Sequence, residues 1–324
     1  MCTAIGFKTK DFYFGRTLDY DLSFGEEITV TGRYFPFSFK NGTVIESHFA
    51  IIGMAHIADG YPLYYDAVNE KGLAMAALNF VGNAYYKKPC ENCDNIAHFE
   101  LIPWILGQCA DITAAKNLLE KINITDIPFN ESLSPALLHW IISDKNGSLT
   151  IEAVEHGIKI YDNPVGVLTN NPTFPEQMQR LNDYMHLSVR NPENNFSKKL
   201  PLICYSRGMG SLGLPGDLSS SSRFVRAAFV KMNSVSENSE DDSVGQFFHI
   251  LDTVNQPRGC CETDNGKFEI TVYSSCCNTN KGIYYYTTYS NRQISAVDMH
   301  KTDLNSNKLT TYPLINQQQI NYQN

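Results

Sequence analysis

The first ninety residues contain short apolar or alternating stretches of the kind that form β-strands. Residues 3–7 and 12–14 lie on either side of a polar tetrapeptide, and this arrangement predicts a hairpin. Residues 28–35 alternate and are rich in β-branched and aromatic side chains. Residues 49–54 and 73–79 are almost continuously apolar and are bounded by turn residues, which indicates strands that are buried on both faces.

Apolar side chains at helical spacing predict two helices in the next segment, at residues 97–110 and 112–122. We expect Pro103 to kink the first helix and Asp111 to cap the second. Strands are then predicted at residues 137–143, 149–154, 158–161 and 165–168, with a turn at 144–147. Three helices and three closing strands follow, at residues 174–185, 221–232, 245–254, 268–275, 282–289 and 293–297.

The order of these elements is a β run, a pair of helices, a β run, a group of helices and a last β run. Strands and helices do not alternate strictly, which disfavours a doubly wound parallel sheet and favours an α+β fold. We expect mostly antiparallel sheets with helices outside them. A length of 324 residues allows one large domain or two ordinary ones. Since residues 191–199 and 236–242 are interpreted as surface loops rather than linkers, we expect a single domain over residues 1–324.

Composition narrows the class of protein. Hydrophobic residues make up 43% of the chain and charged residues 19%, which excludes a disordered chain. The net charge of −8 disfavours a nucleic-acid partner, because phosphate binding needs clustered Lys and Arg. The sequence contains neither a signal-peptide pattern nor an apolar run of about 18 residues, so we expect a soluble cytoplasmic protein without a membrane span.

The cysteines and histidines do not form a pattern typical of a metal site. Nine cysteines are present, an odd number, and we expect most of them to be free thiols in a reducing compartment. The pair Cys90-x-x-Cys93 is half of a zinc knuckle, or a redox motif without its usual βαβ context. The eight histidines form no spaced pair and are interpreted as core or surface residues. We therefore expect no metal and no cofactor.

Cys2 is the strongest candidate for chemistry. Methionine is normally removed when the second residue is small, and removal of Met1 would give Cys2 a free α-amine beside its thiol. An α-amine has a pKa of roughly 7.7–8.0 and can accept the thiol proton near neutral pH. Nucleophile and base would then belong to one residue, as in N-terminal threonine enzymes. The alternative interpretation is a small buried apolar residue.

Four further residues are candidates beside this cysteine. Arg16 and Asp19 follow the predicted hairpin, which returns the chain to the neighbourhood of Cys2, although a surface ion pair is the commoner explanation. Asn79 and Asn170 end predicted strands, where an amide N–H can stabilise an oxyanion. A turn is the usual explanation of such asparagines.

Residues 205–217 are rich in glycine but lack the Gly-Lys-Ser/Thr ending of a phosphate-binding loop. A shaped loop near a site is the better interpretation. Arg223 and Arg226 follow it on nearly the same helix face. One of them could point at the site, while a structural role is the default for both.

Taken together, these residues resemble the choloylglycine hydrolases, and within that family the conjugated bile salt hydrolases. Matching blocks extend over nearly the whole chain, and their order and spacing are specific. The blocks are Met1-Cys2-Thr3, Gly15-Arg16-Thr17-Leu18-Asp19, Asn69-Glu70-Lys71-Gly72-Leu73, Gly166-Val167-Leu168-Thr169-Asn170, Tyr205-Ser206-Arg207-Gly208-Met209-Gly210, Gly213-Leu214-Pro215-Gly216-Asp217-Leu218-Ser219-Ser220, Ser222-Arg223-Phe224-Val225-Arg226 and Lys281-Gly282-Ile283-Tyr284-Tyr285-Tyr286.

The resemblance implies the four-layer αββα sandwich of the N-terminal nucleophile hydrolases. It implies that Cys2 is the nucleophile and that Arg16 and Asp19 lie beside its thiol. Oxyanion donors would be the backbone N–H of Asn79 and the side chain of Asn170, the latter preferred over the adjacent Asn171. The remaining site residue implied by the family is Arg223.

The implied reaction is hydrolysis of the amide bond in glycine- or taurine-conjugated bile salts, through a thioester, without metal or cofactor. Penicillin V acylases are the competing enzyme class, although they tend to carry tyrosine where this chain has Asn79. A non-catalytic bile-salt-binding protein is the remote alternative. The resemblance further implies a bacterial cytoplasmic homotetramer and an apolar substrate groove; core packing is the alternative for each of its proposed lining residues, Leu18, Tyr65, Phe129 and Leu133.

Overall fold

Eighteen strands and five α-helices make up the computed structural model, which describes residues 1–324. The strands are β1 (Cys2–Lys8), β2 (Phe12–Tyr20), β3 (Glu27–Thr31), β4 (Phe37–Ser38), β5 (Val44–Ile45), β6 (Ile51–Ala58), β7 (Tyr61–Asn69), β8 (Ala74–Asn79), β9 (Asp94–Ala97), β10 (Ile122–Thr125), β11 (Leu138–Asp144), β12 (Gly147–Val154), β13 (Gly157–Asp162), β14 (Val167–Leu168), β15 (Ile270–Asn278), β16 (Ile283–Thr288), β17 (Asn291–Asp298) and β18 (Leu309–Pro313). The helices are α1 (Leu101–Gln108), α2 (Ile112–Leu119), α3 (Phe174–Arg180), α4 (Ser220–Asn233) and α5 (Glu240–Asp252).

Two antiparallel sheets pack face to face at the centre. The six-stranded sheet has the order β14-β1-β2-β15-β16-β17, and the eight-stranded sheet has the order β13-β12-β11-β8-β7-β6-β3-β18. Helices α1 and α2 cover the outer face of the larger sheet, and α4 and α5 cover the outer face of the smaller one. The α+β prediction and its four-layer αββα arrangement are confirmed.

Burial on both faces explains the apolar runs in the sequence. One cluster of 38 buried residues fills the space between the sheets and under α4 and α5, and a second of 26 lies between the larger sheet and α1 and α2. Both faces of each central strand are therefore covered by buried apolar side chains of these clusters. Strand β2 is buried at every position except Tyr20, which places its polar residues inside the protein.

Several predicted boundaries differ from the structure. Strand β3 ends at Thr31, not at residue 35, because the chain turns there: the backbone N–H of Phe35 donates to the carbonyl oxygen of Gly32 at 3.1 Å. Pro103 does not kink α1, since it lies in the first turn, where backbone N–H groups have no partner within the helix. Helix α2 does not extend to residue 122, its predicted end. Residues 122–125 form β10 instead, which pairs with β9.

Helix α5 begins five residues before its predicted start. Ser239 caps it by accepting a hydrogen bond from the backbone N–H of Asp242 at 3.0 Å, and the acidic first turn favours the helix N-terminus. Three of the seven residues interpreted as a loop at 236–242 are therefore helical. The predicted cap of α2 is confirmed, because Asp111 Oδ1 accepts a bond from the N–H of Ala114 at 2.9 Å.

Seven of the nine cysteines are free, in agreement with the expectation for most of them, while Cys90 and Cys93 form a disulfide. None of the helices has the length and apolar character needed to cross a bilayer.

Candidate active site

The β1–β2 hairpin brings the N-terminal cysteine to the middle of the protein. Cys2 pairs with Leu18, and Ala4 pairs with Arg16. Because directly paired residues of an antiparallel sheet project from the same face, the side chains of Cys2, Leu18 and Arg16 all point toward the larger sheet. Only 4% of the surface of Cys2 is exposed. Asp19 projects from the opposite face, toward the helices.

Arg16 occupies the place where two strands of the larger sheet separate. Strands β7 and β8 pair only as far as Ala76, and the Nη1 of Arg16 donates to the carbonyl oxygens of Tyr65 and Ala77 just beyond that point. Its Nη2 is buried without a hydrogen-bond partner. Burial opposes the charge, but the acidic groups around the guanidinium, Cys2 foremost, keep the pKa of Arg16 above its ordinary value. The site therefore contains a permanent positive charge.

Asp19 is fully buried and accepts two hydroxyl hydrogen bonds. Thr271 donates to its Oδ1 at 2.6 Å, and Thr17 donates to its Oδ2 at 3.0 Å. Burial raises the pKa of Asp19, while the charge of Arg223 and the two hydroxyls act in the opposite direction. The backbone N–H of Asp19 donates to the carbonyl oxygen of Met1 at 2.9 Å, so this residue holds the start of the chain.

Asn170 and Arg223 lie behind Cys2. The Oδ1 of Asn170 accepts the backbone N–H of Cys2 at 2.9 Å and the Nη2 of Arg223 at 2.7 Å. Arg223, in α4, also donates Nη1 to the carbonyl oxygen of Cys2 at 2.5 Å and to the hydroxyl of Thr3 at 2.6 Å. Burial lowers the pKa of Arg223, and Asp19 partly offsets this effect. These contacts fix the backbone of Cys2.

Asn79 ends β8 beside Cys2. Because the N–H of Phe80 donates to the carbonyl oxygen of Leu137, Asn79 and Leu138 form a non-hydrogen-bonded pair. The backbone N–H of Asn79 consequently faces away from β11. It faces the gap between β7 and β8, beyond the last residues at which these two strands pair. Its carbonyl oxygen accepts the Nδ2 of Asn170 at 2.8 Å, so the two asparagines are in direct contact.

The structure separates the alternatives left open by the sequence. The side chain of Asn171 donates to the carbonyl oxygen of Val81 at the surface and does not reach Cys2. Arg226 donates to carbonyl oxygens of Pro215, Asp217 and Thr253, so it braces the loop before α4. The glycine-rich segment 205–217 does not line the cavity at Cys2.

A mainly apolar cavity of about 480 Å³ opens beside Cys2. Eighteen of its 25 lining residues are hydrophobic, and the polar residues Arg16, Asp19 and Asn79 lie beside the cysteine. The wall of this cavity includes Leu18, Tyr65, Phe129 and Leu133, the four residues proposed from the sequence as substrate-lining. Such a cavity suits a ligand with a large apolar body and a polar end.

Two residues that contact the site could not be found from the sequence. Thr271 holds Asp19, and Glu269 contacts the ammonium group of Met1 at 3.2 Å. Both lie about 250 residues from the hairpin and carry no local motif. No group of three or more His, Cys, Asp or Glu side chains is arranged to hold a metal ion.

His98, in the cavity wall, gives a testable pH dependence. Its Nε2 accepts the backbone N–H of Ala136 at 3.1 Å, and burial lowers the pKa of its ring to about 4 from an ordinary 6.5. The unfolded chain therefore binds an additional proton between these values, and folding stability should fall as pH drops from 6.5 to 4. The loss should be about 3 kcal/mol. Urea unfolding at pH 7 and pH 4 would measure it.

The variant His98→Gln is the control, because its amide oxygen can still accept the N–H of Ala136 but does not titrate. The free energy of unfolding of this variant should lose about 3 kcal/mol less over the same pH interval. Parallel pH profiles for the two proteins would contradict the assignment.

Comparison with known proteins agrees with this geometry. The model of the choloylglycine hydrolase family, which groups linear amide C–N hydrolases, matches residues 2–312. The bile salt hydrolase/transferase of Lactiplantibacillus plantarum is 52% identical over 314 residues, which is 97% of both chains. The protein of that name from Clostridium perfringens is 38% identical over 330 residues, covering 100% of both.

Solved structures show the same relationship. The mutant C2A conjugated bile acid hydrolase from Clostridium perfringens has a TM-score of 0.93 at 37% identity, with all of both chains covered. A penicillin V acylase from Agrobacterium tumefaciens has a TM-score of 0.75 at 20% identity, covers 96% of this chain and 90% of its own, and shares the fold. The chain therefore belongs to the choloylglycine hydrolase family of linear amide C–N hydrolases.

Proposed function

We propose that the protein hydrolyses the amide bond that joins a bile acid to glycine or taurine, with Cys2 as the nucleophile. The observation that carries this proposal is the position of Cys2 at one end of a mainly apolar cavity, among Arg16, Asp19 and Asn79. Relatives that cover 100% and 96% of the chain are named bile salt hydrolase/transferase and conjugated bile acid hydrolase, which supports the choice of substrate.

The proposed reaction begins after removal of Met1. The freed amine of Cys2 takes the thiol proton, and the sulfur attacks the amide carbonyl carbon. The backbone N–H of Asn79 and the Nδ2 of Asn170 stabilise the resulting oxyanion. The C–N bond breaks, and the Cys2 ammonium donates a proton to the leaving glycine or taurine. Water, deprotonated by the same amine, then hydrolyses the thioester and releases the bile acid.

The remaining site residues hold these groups in place. The Oδ1 of Asn170 lies 2.9 Å from the nitrogen of Cys2 and orients the amine that forms when Met1 is removed. Arg223 fixes the Cys2 carbonyl, and Asp19 lies beside the same end of the chain. Arg16 supplies the positive charge that an anionic substrate needs in a chain of net charge −8.

The steroid nucleus of the substrate would occupy the apolar part of the cavity. We assign its contacts to Leu18, Tyr65, Phe129 and Leu133. Burial of the apolar face of a steroid against such side chains is favourable by about 25 cal/mol per Å². Penicillin V, with a smaller apolar body, would bury less surface there.

A side-by-side hydrolysis assay tests the substrate. Glycocholate, taurocholate and penicillin V would be incubated with the protein, and release of glycine, taurine or the penicillin nucleus would be measured. We expect kcat/KM for at least one bile salt to exceed that for penicillin V by tenfold or more, which is about 1.4 kcal/mol. Preference for penicillin V would favour the acylase activity, and binding of bile salts without turnover would favour a non-catalytic binding protein.

We further propose that the chain folds as one domain over residues 1–324 and acts as a homotetramer in the bacterial cytoplasm. Many of the exposed apolar side chains lie in one segment, residues 185–212. Within it, Phe196, Ile203 and Tyr205 are each more than 80% exposed. A segment with this many exposed apolar side chains is typical of an interface. Light scattering after size-exclusion chromatography would give the mass of the assembly.

A further inference from the structure

A buried histidine lies directly behind Asn79. His139, in β11, is fully buried and pairs with Leu78, the residue before Asn79. Its ring is stacked on the ring of Phe80, the residue after Asn79, with 4.2 Å between centroids and 8° between planes. The imidazole thus packs against the end of the strand that carries the Asn79 N–H.

The same ring is bonded to the segment that carries Asn170. The Nε2 of His139 lies 2.9 Å from the carbonyl oxygen of Thr169, the residue before Asn170. A carbonyl oxygen can only accept, so Nε2 carries a proton and donates it. One side chain therefore contacts both backbone segments from which the proposed oxyanion donors project.

A buried carboxylate orients this histidine. The Nδ1 of His139 lies 3.5 Å from the Oε1 of Glu152, and neither side chain is exposed to solvent. The same oxygen accepts the backbone N–H of Phe174, the first residue of α3, at 2.8 Å. The carboxylate of Glu152 therefore lies beside the ring nitrogen on the side away from Thr169. Glu152 consequently keeps Nε2 directed at Thr169.

We propose that His139, oriented by Glu152, is a positioning residue that aligns the N–H of Asn79 with the Nδ2 of Asn170. This inference rests on the oxyanion hole of the proposed function. His139 does not line the cavity, so it acts through the two asparagines and not on the substrate. Removal of one oxyanion donor costs about 10²–10³ in rate, and misplacement by about 1 Å costs up to about 10². Replacement of His139 should therefore lower the rate by about 10² or less.

Two reactions of Cys2 separate alignment of the hole from general disorder of the site. With p-nitrophenyl acetate, the sulfur attacks the acetyl carbon, an oxyanion forms, and the C–O bond to p-nitrophenolate breaks. With iodoacetamide, the sulfur displaces iodide from carbon, and no carbonyl becomes an oxyanion. The ratio of the two rate constants therefore reports on the oxyanion hole alone.

The variant His139→Phe keeps the ring stack on Phe80 but cannot donate to Thr169. We expect its acylation by p-nitrophenyl acetate to be about tenfold to 100-fold slower, with alkylation by iodoacetamide within about twofold of the parent rate. In His139→Gln the amide N–H can reach the carbonyl of Thr169, and this variant should recover most of the lost rate. Glu152→Gln, which removes only the orienting charge, should lower the ratio by about threefold to tenfold, and it replaces His139→Phe if that variant does not fold.

His48 provides a matched control. It is also a buried histidine whose two ring nitrogens lie near backbone carbonyl oxygens, 2.7 Å from that of Phe49 and 2.9 Å from that of Phe35, and it does not line the cavity. The variant His48→Phe should leave the ratio unchanged. The proposal is overturned by an unchanged ratio in His139→Phe, or by an equal fall in His48→Phe.

Neither reagent is a bile salt, so this test is independent of the substrate assignment. A parent protein that cleaves neither glycocholate nor taurocholate yet undergoes acylation would refute the substrate and leave the His139 comparison intact. A parent protein that undergoes alkylation but not acylation would lack an oxyanion hole, and the inference would fail with it.

Discussion

Replacement of the sulfur of Cys2 by oxygen, in Cys2→Ser, should lower kcat by at least about 10⁴-fold. Serine is nearly isosteric with cysteine and small enough to permit removal of Met1, and the backbone contacts of residue 2 with Asn170 and Arg223 do not involve the side chain. The variant should therefore fold and bind substrate while lacking a thiolate. Steady-state hydrolysis of glycocholate, with intact mass and circular dichroism, would measure the effect.

Cys109→Ser is the matched control for this experiment. Cys109 is likewise a buried free thiol, but it lies at the end of α1 and away from the cavity. The variant Cys109→Ser should retain the kcat of the parent protein. More than about 1% residual activity in Cys2→Ser would refute the assignment of the nucleophile, since loss of a nucleophile costs far more than about 10².

A chain that keeps any residue before Cys2 should lose activity by at least about 10²–10⁴-fold, the usual contribution of a general acid and base. In such a chain the nitrogen of Cys2 belongs to an amide, which has no available lone pair, and Met1 itself contributes to the cavity wall. An N-terminal tag that a protease removes, so that Cys2 becomes the first residue, should restore the rate once it is cleaved. Turnover and intact mass would be followed together.

The same tag attached after Asn324 is the control, because residues 315–324 are exposed and do not line the cavity. Turnover of this protein should not change on protease treatment. Full activity of an uncut N-terminally tagged chain, with its mass intact, would rule out the α-amine as the base.

The parts of the fold that depend on local pattern were predictable. The β1–β2 hairpin follows from apolar stretches around a polar turn. Strand β7 was missed because Asp66, one of its buried residues, interrupts the apolar pattern. Its carboxylate accepts hydrogen bonds from Tyr273, Ser275 and Tyr284, which lie more than 200 residues further along the chain. The sequence around Asp66 gives no indication of these distant partners. A buried aspartate is therefore interpreted as the end of a strand.

The residues of the site can likewise be divided into those that local sequence pattern predicts and those that it does not. Chemistry and the hairpin were sufficient to place Cys2 near Arg16 and Asp19. Turn propensity alone would have assigned Asn79 and Asn170 to turns, and the choice between Arg223 and Arg226 depended on the family resemblance. His139 could not be recognised at all, because its partners come from three separate segments of the chain.

The first residue of a mature chain is usually among its most mobile, yet Cys2 begins a strand in the interior of a sheet. Strand β1 is flanked by β14 and β2, and β2 is flanked in turn by β15. Displacement of the nucleophile would break the hydrogen bonds that the side chains of Asn170 and Arg223 make with its backbone. Displacement of the rest of β1 would open its ladders with β2 and β14. Amide hydrogen exchange in β1 should therefore proceed through large-scale opening, and thermal inactivation should follow the melting of the six-stranded sheet instead of preceding it.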